Sequence, residues 1–453
     1  MIFLKRKRLL FWLLKAYAKR LRKTIFLSFI IGLLGFFLLR YGVNYFVPLL
    51  PFTNQEKIGI EGAYTIDNMP STIISRVSSG LTKIDKNYNV IPGVAKKWEI
   101  KDNGKTYIFY LKDNVYFTDK QKLTSDLIKY NFIDVITQIP NKNTIIFRLK
   151  NNYSPFLMTV SRPILKKGFV GIGDYKVQSI SLNGDFVQSI SLRSIKEQNK
   201  ILNYQFYPTE EALKTAFVLG EVNIAIGLTD TKFKDTTLEK FKKVSLVKSL
   251  DDRNLVTLFY NTQDKDLSDK RLREAMSYAV PDNFSQGLRN YGPFSPNSWV
   301  VKNGLTTYIQ DFEHSKLLLN ESDLFKAKKN LTVELKTFPK YLDIAKIIQE
   351  NWLKVGIKVK IVTTETFPSS FQIFLGDYMV PKDPDQYSLW HSDQIDNVTK
   401  YKNLRIDKLL EDGRQIIDIS ERRKIYADFQ KYLLDDSPAT FLLFPYRYDV
   451  TRR

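Results

Sequence analysis

The N-terminal region joins a basic segment to an uncharged apolar run. Residues 1–23 contain nine Lys or Arg and no Asp or Glu, and residues 24–39 carry no charge. This pattern predicts a cytoplasmic tail, a single transmembrane helix from about Ile25 to Val47 that contacts membrane lipid, and an extracytoplasmic body. Arg40 is expected to extend to the outer interface. A cleaved signal peptide is the alternative, although no small-x-small cleavage site closely follows the apolar run.

The length of the chain predicts a folded body of more than one lobe, and its charge distribution indicates a basic surface. A chain of 453 residues exceeds what one hydrophobic core usually serves, so we expect at least two lobes. The formal net charge is +21, and ten of the basic residues fall in residues 1–55, which contain no acid. The other lysines are mostly scattered singly. A solvated basic surface is therefore favoured over a nucleic-acid groove, and no nucleic-acid partner is expected.

The residue types that the chain lacks exclude several kinds of site. There is no cysteine, which excludes disulfides, Cys-ligated zinc, iron–sulfur clusters, a thiol nucleophile and attachment through a lipidated cysteine. His314 and His391 are the only histidines, so no HExxH metal motif can be present. No G-x-S-x-G or Walker sequence occurs either. We expect no catalysis, no metal site and no cofactor.

Strand and helix patterns alternate along the body. Thr106–Phe117 predicts strand structure interrupted by a turn at Asp113-Asn114, and the FLLF run at 441–444 predicts a buried strand. Ser268 and Ser420 are each predicted to cap the start of a helix. A further helix, with Leu342, Ala345, Ile348 and Trp352 on one face, is predicted to stop at Gly356 and to lead into a strand. Alternation of this kind predicts α/β lobes.

The segment from residue 80 to 131 carries a specific pattern. It reads GLTKID, then VIPGVAKKWEI, then NGKTYIFYLKDNVYFTDKQKLTSDLIKYNF. In this order it resembles the opening signature of the extracellular solute-binding proteins of ABC importers, the family that includes oligopeptide- and dipeptide-binding proteins. The matching positions are Pro92, Ala95, Trp98, Gly104, Tyr107, Phe109, Leu111, Val115, Phe117, Leu123, Thr124 and Asp126.

Four later blocks extend the resemblance to about residue 445. They are GIGDY at 171–175, FYNTQDKDLSDKRLREAMSYA at 259–279, IIQENWLKVGIKVKI at 347–361, and the elements DPD, YKNLRIDKLL, RRKIYADFQ (an R-x-x-x-Y-x-x-x-Q block) and DDSPATFLL between 376 and 445. Three departures stand out. The stretch between Asn131 and Asn143 is shorter than in the family, Ile172 and Asp174 replace a T-x-P pattern, and the family usually continues beyond the point that corresponds to Arg453.

The resemblance implies a two-lobed periplasmic-binding-protein-like fold with a small inserted subdomain. By this reading residues 1–55 form the tail and anchor. The remaining divisions are lobe I at 56–78, 169–252 and 438–453, the inserted subdomain at 79–168, and lobe II at 253–437. Ligand would bind between the lobes, and closure would bury it.

The resemblance also implies a function. A monomeric protein would capture peptides and deliver them to an ABC permease driven by cytoplasmic ATPase subunits. Two alternatives stay open: a surface receptor or sensor of the same fold without transport, and import of a non-peptide solute such as an oligosaccharide.

Candidate ligand-binding residues follow from the same resemblance. The family usually holds the free amine of a peptide with an aspartate of lobe II, and here Asp377, Asp383 and Asp385 compete for that role. Each of them is also a plausible turn or capping aspartate. The remaining candidates are the pocket aromatics Tyr387 and Trp390, the strand-end residue Asn261, and the loop residue Asp67 of lobe I. His391 is interpreted as a packing residue.

Overall fold

The computed structural model describes residues 12, 15, 17, 19–46, 54–197, 199–300, 305, 307–327 and 331–452. The chain divides into two compact units. The smaller consists of Met1–Gln55 with Glu197–Ile201, and the larger of Glu56–Lys196 with Leu202–Arg453.

Helix α1 (Arg22–Phe46) is the main element of the smaller unit. Within the described part of the chain, no helix is both long and apolar enough to cross a membrane. This finding goes against the predicted transmembrane helix from Ile25 to Val47. Lys23 and Arg40 limit the uncharged run to 16 residues, which at 1.5 Å per residue is about 24 Å, shorter than the roughly 30 Å hydrocarbon core. Val47 itself lies outside the described residues.

The first part of the body is rich in short strands. In chain order its elements are β1 (Asn54–Glu61), α2 (Ser71–Val77), β2 (Thr82–Ile84), β3 (Val90–Pro92), β4 (Ala95–Lys101), β5 (Thr106–Leu111), β6 (Val135–Asn141), β7 (Thr144–Leu149) and α3 (Phe156–Thr159). Three-residue 3-10 turns occupy Ile66–Asn68, Asp102–Gly104 and Ser125–Leu127. As predicted, β5 ends before the turn at Asp113-Asn114.

The middle part is mainly β-structure. Its elements are β8 (Tyr175–Asn183), β9 (Phe186–Ser194), β10 (Lys200–Tyr207), α4 (Glu210–Leu219), β11 (Ile224–Leu228), β12 (Lys232–Phe233), β13 (Thr236–Thr237), a 3-10 turn at Leu238–Lys240, and β14 (Val244–Leu250).

The last part alternates strands and helices. Its elements are β15 (Asn254–Tyr260), α5 (Lys270–Tyr278), β16 (Gly287–Arg289), α6 (Phe312–Glu321), α7 (Asp323–Ala327), β17 (Thr332–Thr337), a 3-10 turn at Pro339–Tyr341, α8 (Leu342–Lys354), β18 (Lys358–Thr363), β19 (Ile373–Met379), α9 (Tyr387–Trp390), α10 (Leu404–Gln415), α11 (Ile419–Asp436) and β20 (Ala439–Arg452).

Two of the predicted helix starts are shifted. Helix α5 is capped by Asp269, whose carboxylate accepts the Arg271 N–H, and Ser268 lies one residue outside. Helix α11 is capped by Asp418, which accepts the Glu421 N–H at 2.9 Å. In both cases an aspartate before or after the predicted serine has its carboxylate in reach of the free N–H groups of the first turn. Helix α8 is as predicted, with Gly356 at φ +90° just beyond its end.

One long mixed sheet organises the body. Its main strand order is β18-β17-β19-β15-β20-β11-β1-β10-β9-β8, and β14 and β16 also pair with β20. Strand β20 spans two halves of this sheet: its beginning pairs with β15 (Phe259 with Ala439) and its end pairs with β11 (Ala225 with Val450). One half of the sheet contains β15, β17, β18 and β19, and the other contains β1, β8, β9, β10 and β11. The chain passes between these halves at two adjacent places, in β20 and in the β14–β15 connection.

Separate hydrophobic cores accompany the two halves. Helices α5 and α8 cover one face of β15, β17 and β19, where Met276, Ile348 and Trp352 are fully buried. A second sheet, in the order β4-β5-β7-β6, has a core of its own around Tyr107 and Phe147. The first residues of β20, 439–444, pack with the cores next to β15. The predicted lobe boundaries stay predictions; strand β20 pairs with both halves of the main sheet.

Candidate functional site

One candidate site is a cleft of about 1160 Å³, called here the main cleft. Its first wall consists of residues from 66–84 and 153–169, and its second wall consists of Arg253 and residues from 381–385. The second wall lies at one end of the paired strands β15 and β19, since the Val380 N–H donates to the Arg253 carbonyl at 2.7 Å. The cleft therefore lies between chain segments that belong to different cores.

Three predicted site residues, Asp67, Asp383 and Asp385, line the main cleft. Asp67 is exposed in the 3-10 turn Ile66–Asn68. Asp383 is buried and pairs with Arg422, which donates from Nη2 to Oδ1 at 2.6 Å and from Nη1 to Oδ2 at 3.1 Å. Both oxygens of Asp383 thus accept hydrogen bonds from Arg422.

The Arg422 guanidinium is held on several sides. Its Nε donates to the Gly413 carbonyl at 2.9 Å. The rings of Trp299 and Tyr426 each have their centroid 5.4 Å from the Arg422 Cζ atom. Burial disfavours the charged guanidinium, but the Asp383 carboxylate outweighs burial, so the pKa of Arg422 is raised. This is a buried ion pair in which each oxygen of Asp383 accepts a hydrogen bond from Arg422.

Both carboxylate oxygens of Asp385 also accept hydrogen bonds within the protein. Its Oδ2 accepts Arg414 Nε at 2.9 Å, and its Oδ1 accepts the Tyr387 N–H at the start of α9. The Arg414 guanidinium lies 4.3 Å from the Tyr387 ring centroid. Tyr387 also stacks on His391 at 4.2 Å, so it serves as a packing platform for two residues. It lines a different cavity, of about 720 Å³.

Asp377 and Trp390 lie together in another cavity, of about 440 Å³, called here the aromatic pocket. Phe259, Phe374 and Tyr378 also line it. Trp390 is only 2 % exposed, and its Nε1 donates to Gln386 at 2.9 Å. Its indole therefore packs in the core while contributing part of the pocket wall.

Asp377 forms an ion pair with Lys340. The ammonium of Lys340 lies 3.0 Å from Asp377 Oδ1, and the Lys340 side chain is 51 % exposed. Burial, and secondarily the nearby Asp377 carboxylate, raise the pKa of Tyr341. Asp377 is thus a carboxylate whose cationic partner is accessible to solvent.

Asn261 lies apart from the other candidates. Its side chain donates to the Phe371 carbonyl at 3.1 Å and accepts the Gln263 N–H, which fixes the end of β15. It lines a third cavity of about 440 Å³. The structure therefore brings Asp67, Asp383 and Asp385 together, joins Asp377 with Trp390, and places Tyr387 and Asn261 elsewhere.

The sequence analysis did not predict the basic partners of Asp377, Asp383 and Asp385. Arg422 is the arginine of the R-x-x-x-Y block, four residues before Tyr426, so the motif did mark its position. Lys340 and Arg414 had no such signal, because each lies between 29 and 37 residues from its aspartate in the sequence.

Comparison with known proteins identifies the family. Residues 89–399 match the model of the bacterial extracellular solute-binding proteins, family 5. The chain belongs to this family. The oligopeptide-binding protein AppA of Bacillus subtilis is 25% identical over 458 residues, covering 84% of this chain and 83% of AppA. The dipeptide-binding protein of Escherichia coli is 22% identical over 436 residues, covering 78% and 80%.

Solved structures confirm the two-lobed α/β fold. NikZ from Campylobacter jejuni, in complex with Ni(L-His), has a TM-score of 0.73 at 22% identity, covering 88% of this chain and 94% of NikZ. The Bacillus subtilis AppA structure with a nonapeptide has a TM-score of 0.68 at 21% identity, covering 88% and 95%. Among the residues that the structure describes, no group of three or more His, Asp or Glu side chains is arranged to hold a metal ion.

Proposed function

We propose that this protein is the extracytoplasmic component of an ABC importer that captures peptides. Family membership supports the importer role, and two relatives are named for peptide ligands. The observation that carries the peptide proposal is the main cleft. Its volume of about 1160 Å³ exceeds the roughly 300–1,000 Å³ of ordinary small-molecule pockets, and segments of different cores form its two walls.

In this proposal the two chain crossings between the sheet halves act as the hinge that allows the cleft to open and close. A ligand that contacts both walls binds the closed arrangement more tightly than any open one, so it shifts the population toward closure. A closed, loaded body would then dock on a permease with cytoplasmic ATPase subunits. Export of the body is part of the proposal and is supported by the nine basic residues in 1–23, typical of a segment that stays cytoplasmic.

Asp377 is the best candidate for binding the peptide amine. Asp383 and Asp385 are bound by arginines, and removing either partner would leave a buried charge, whereas the Lys340 that holds Asp377 is half exposed and can swing into solvent. Asp377 lines the aromatic pocket and not the main cleft, so a peptide held in the main cleft would extend its amino end into that pocket, where its ammonium would replace the Lys340 ammonium.

Native mass spectrometry of the full-length chain, purified without denaturation, tests the proposal. A co-purifying mass equal to that of peptides, on a monomer, is the expected result. A sugar, a metal chelate or another non-peptide mass would refute peptide capture.

The amine contact has its own test. Binding of a peptide and of its N-acetylated form is compared in the parent and in Asp377→Asn. Acetylation should weaken binding to the parent, and the penalty should shrink in the variant, because the double cycle isolates the coupling. Equal binding of both forms to the parent would exclude amine recognition.

Transport is separated from sensing by uptake. Cells that lack the gene should lose accumulation of a labelled peptide and should regain it when the gene is restored. Unchanged accumulation would favour the receptor alternative.

A further inference from the structure

The main cleft carries an excess of positive charge. Five cationic residues line it, namely Lys83, Arg162, Lys166, Arg253 and Lys382. Lys166 is neutralised by Asp119. Of the three lining aspartates, two are neutralised by Arg414 and Arg422, neither of which lines the cleft.

Four cations of the cleft therefore lack an ionic partner. Within the described residues, no carboxylate oxygen lies within 4 Å of the side-chain nitrogens of Lys83, Arg162, Arg253 or Lys382. They belong to both walls: Lys83 and Arg162 to the first, and Arg253 and Lys382 to the second. Asp67 is the single lining carboxylate among the described residues without an arginine or lysine partner, so the unpaired groups add up to a clear surplus of cations.

The second wall contains two cations, Arg253 and Lys382. Arg253 precedes β15 and Lys382 follows β19, and the Arg253 Nε donates to the Val380 carbonyl at 3.4 Å. Both side chains are partly buried. Burial, together with the Arg253 charge, lowers the pKa of Lys382.

Asp252 offsets part of this charge, since its carboxylate acts to raise the pKa of Lys382, but within the described residues it forms no ion pair with either cation. Asp252 accepts the Tyr88 hydroxyl at 2.8 Å and the Asn297 side-chain amide at 2.7 Å through the same oxygen, Oδ2. Two like charges held partly out of water are unfavourable unless an anion joins them. An anionic ligand removes that penalty on binding.

We propose that the main cleft selects acidic ligands, with carboxylates held between the Arg253–Lys382 pair and the opposing Lys83 and Arg162. This inference rests on the proposed function, and it names acidic peptides as the preferred class. Carboxylates that contact both walls would also favour closure, since their charge is neutralised only when the walls approach.

Isosteric peptides test the selectivity on the full-length protein. Ala-Asp-Asp-Ala is expected to bind at least about tenfold more tightly than Ala-Asn-Asn-Ala by calorimetry, and Ala-Lys-Lys-Ala more weakly than either. In the double variant Arg253→Gln/Lys382→Gln, the acidic and neutral peptides should bind within about twofold of each other. Lys167→Gln is the matched control, because Lys167 is exposed and does not line the cleft. This control should retain the full preference.

The outcomes separate this inference from the proposed function. If the acidic and neutral peptides bind the parent equally, the acidic selectivity is wrong while peptide capture stands. If no tetrapeptide binds, citrate becomes the probe. Citrate binding that is lost in the double variant supports the anion site and refutes peptide capture. Absence of citrate binding as well would overturn both.

Discussion

Replacing Asp383 by Asn should destabilise the protein strongly, whatever it does to ligand binding. Asp383 and Arg422 are 8 % and 5 % exposed, and they share two hydrogen bonds of 2.6 and 3.1 Å. Removing one partner of a buried pair costs about 3–5 kcal/mol, because the remaining charge stays buried. Arg422 keeps its bond to the Gly413 carbonyl, so we expect the lower end, about 3 kcal/mol.

Urea unfolding of the full-length protein, followed by tryptophan fluorescence, measures this change, since Trp299 lies 5.4 Å from the Arg422 guanidinium. The control is Asp412→Asn, which breaks the exposed 2.9 Å pair with Lys408 and should cost less than about 1 kcal/mol. Adding Arg422→Met to Asp383→Leu should recover most of the loss. A cost for Asp383→Asn no larger than for the control would refute a structural role and would return Asp383 to the candidates for ligand binding.

Three further predictions concern the site and the location of the body. Lys340→Met should tighten binding of a free-amine peptide severalfold without affecting its N-acetylated form; equal effects on both, measured by calorimetry, would exclude competition at Asp377. Lys382→Met should raise the melting temperature at pH 8. Because the folded-state pKa of Lys382 is lowered, the unfolded chain binds more protons just below pH 10.5, so the parent gains stability as pH rises and the difference should narrow toward pH 10.5. Protease added to intact cells should degrade the body, and protection of the body would contradict export.

The local pattern of the sequence was sufficient to predict several elements. The apolar stripe that ends in Trp352, followed by Gly356, specifies a helix and its stop, and the structure has both. Helix starts were less certain because Asp and Ser are equivalent caps, and Asp269 and Asp418 have the better geometry. The predicted membrane span is not matched by any helix of the described residues, none of which is long and apolar enough to cross a membrane.

The candidate site depended on information that local patterns do not contain. Asp377, Asp383 and Asp385 lie within nine residues, and nothing in the sequence distinguishes them. Their basic partners come from α10, α11 and the turn before α8. Only the fold brings Arg422 and Arg414 to Asp383 and Asp385 and leaves the Lys340 side chain half exposed. Which aspartate is available to a ligand is therefore a property of tertiary structure.

The cationic pair also lies where closure has to be controlled. Arg253 ends the β14–β15 connection, one of the two crossings between the sheet halves, and Asp251 in that connection accepts Arg447 of β20 at 3.3 Å. The Asp251 N–H also donates to the Pro445 carbonyl at 2.9 Å, so the two crossings are bonded to each other. A change in the angle between the halves would therefore bend the chain at or beside this bonded pair. A ligand anion on Arg253 would therefore bear directly on the segment that sets the width of the cleft.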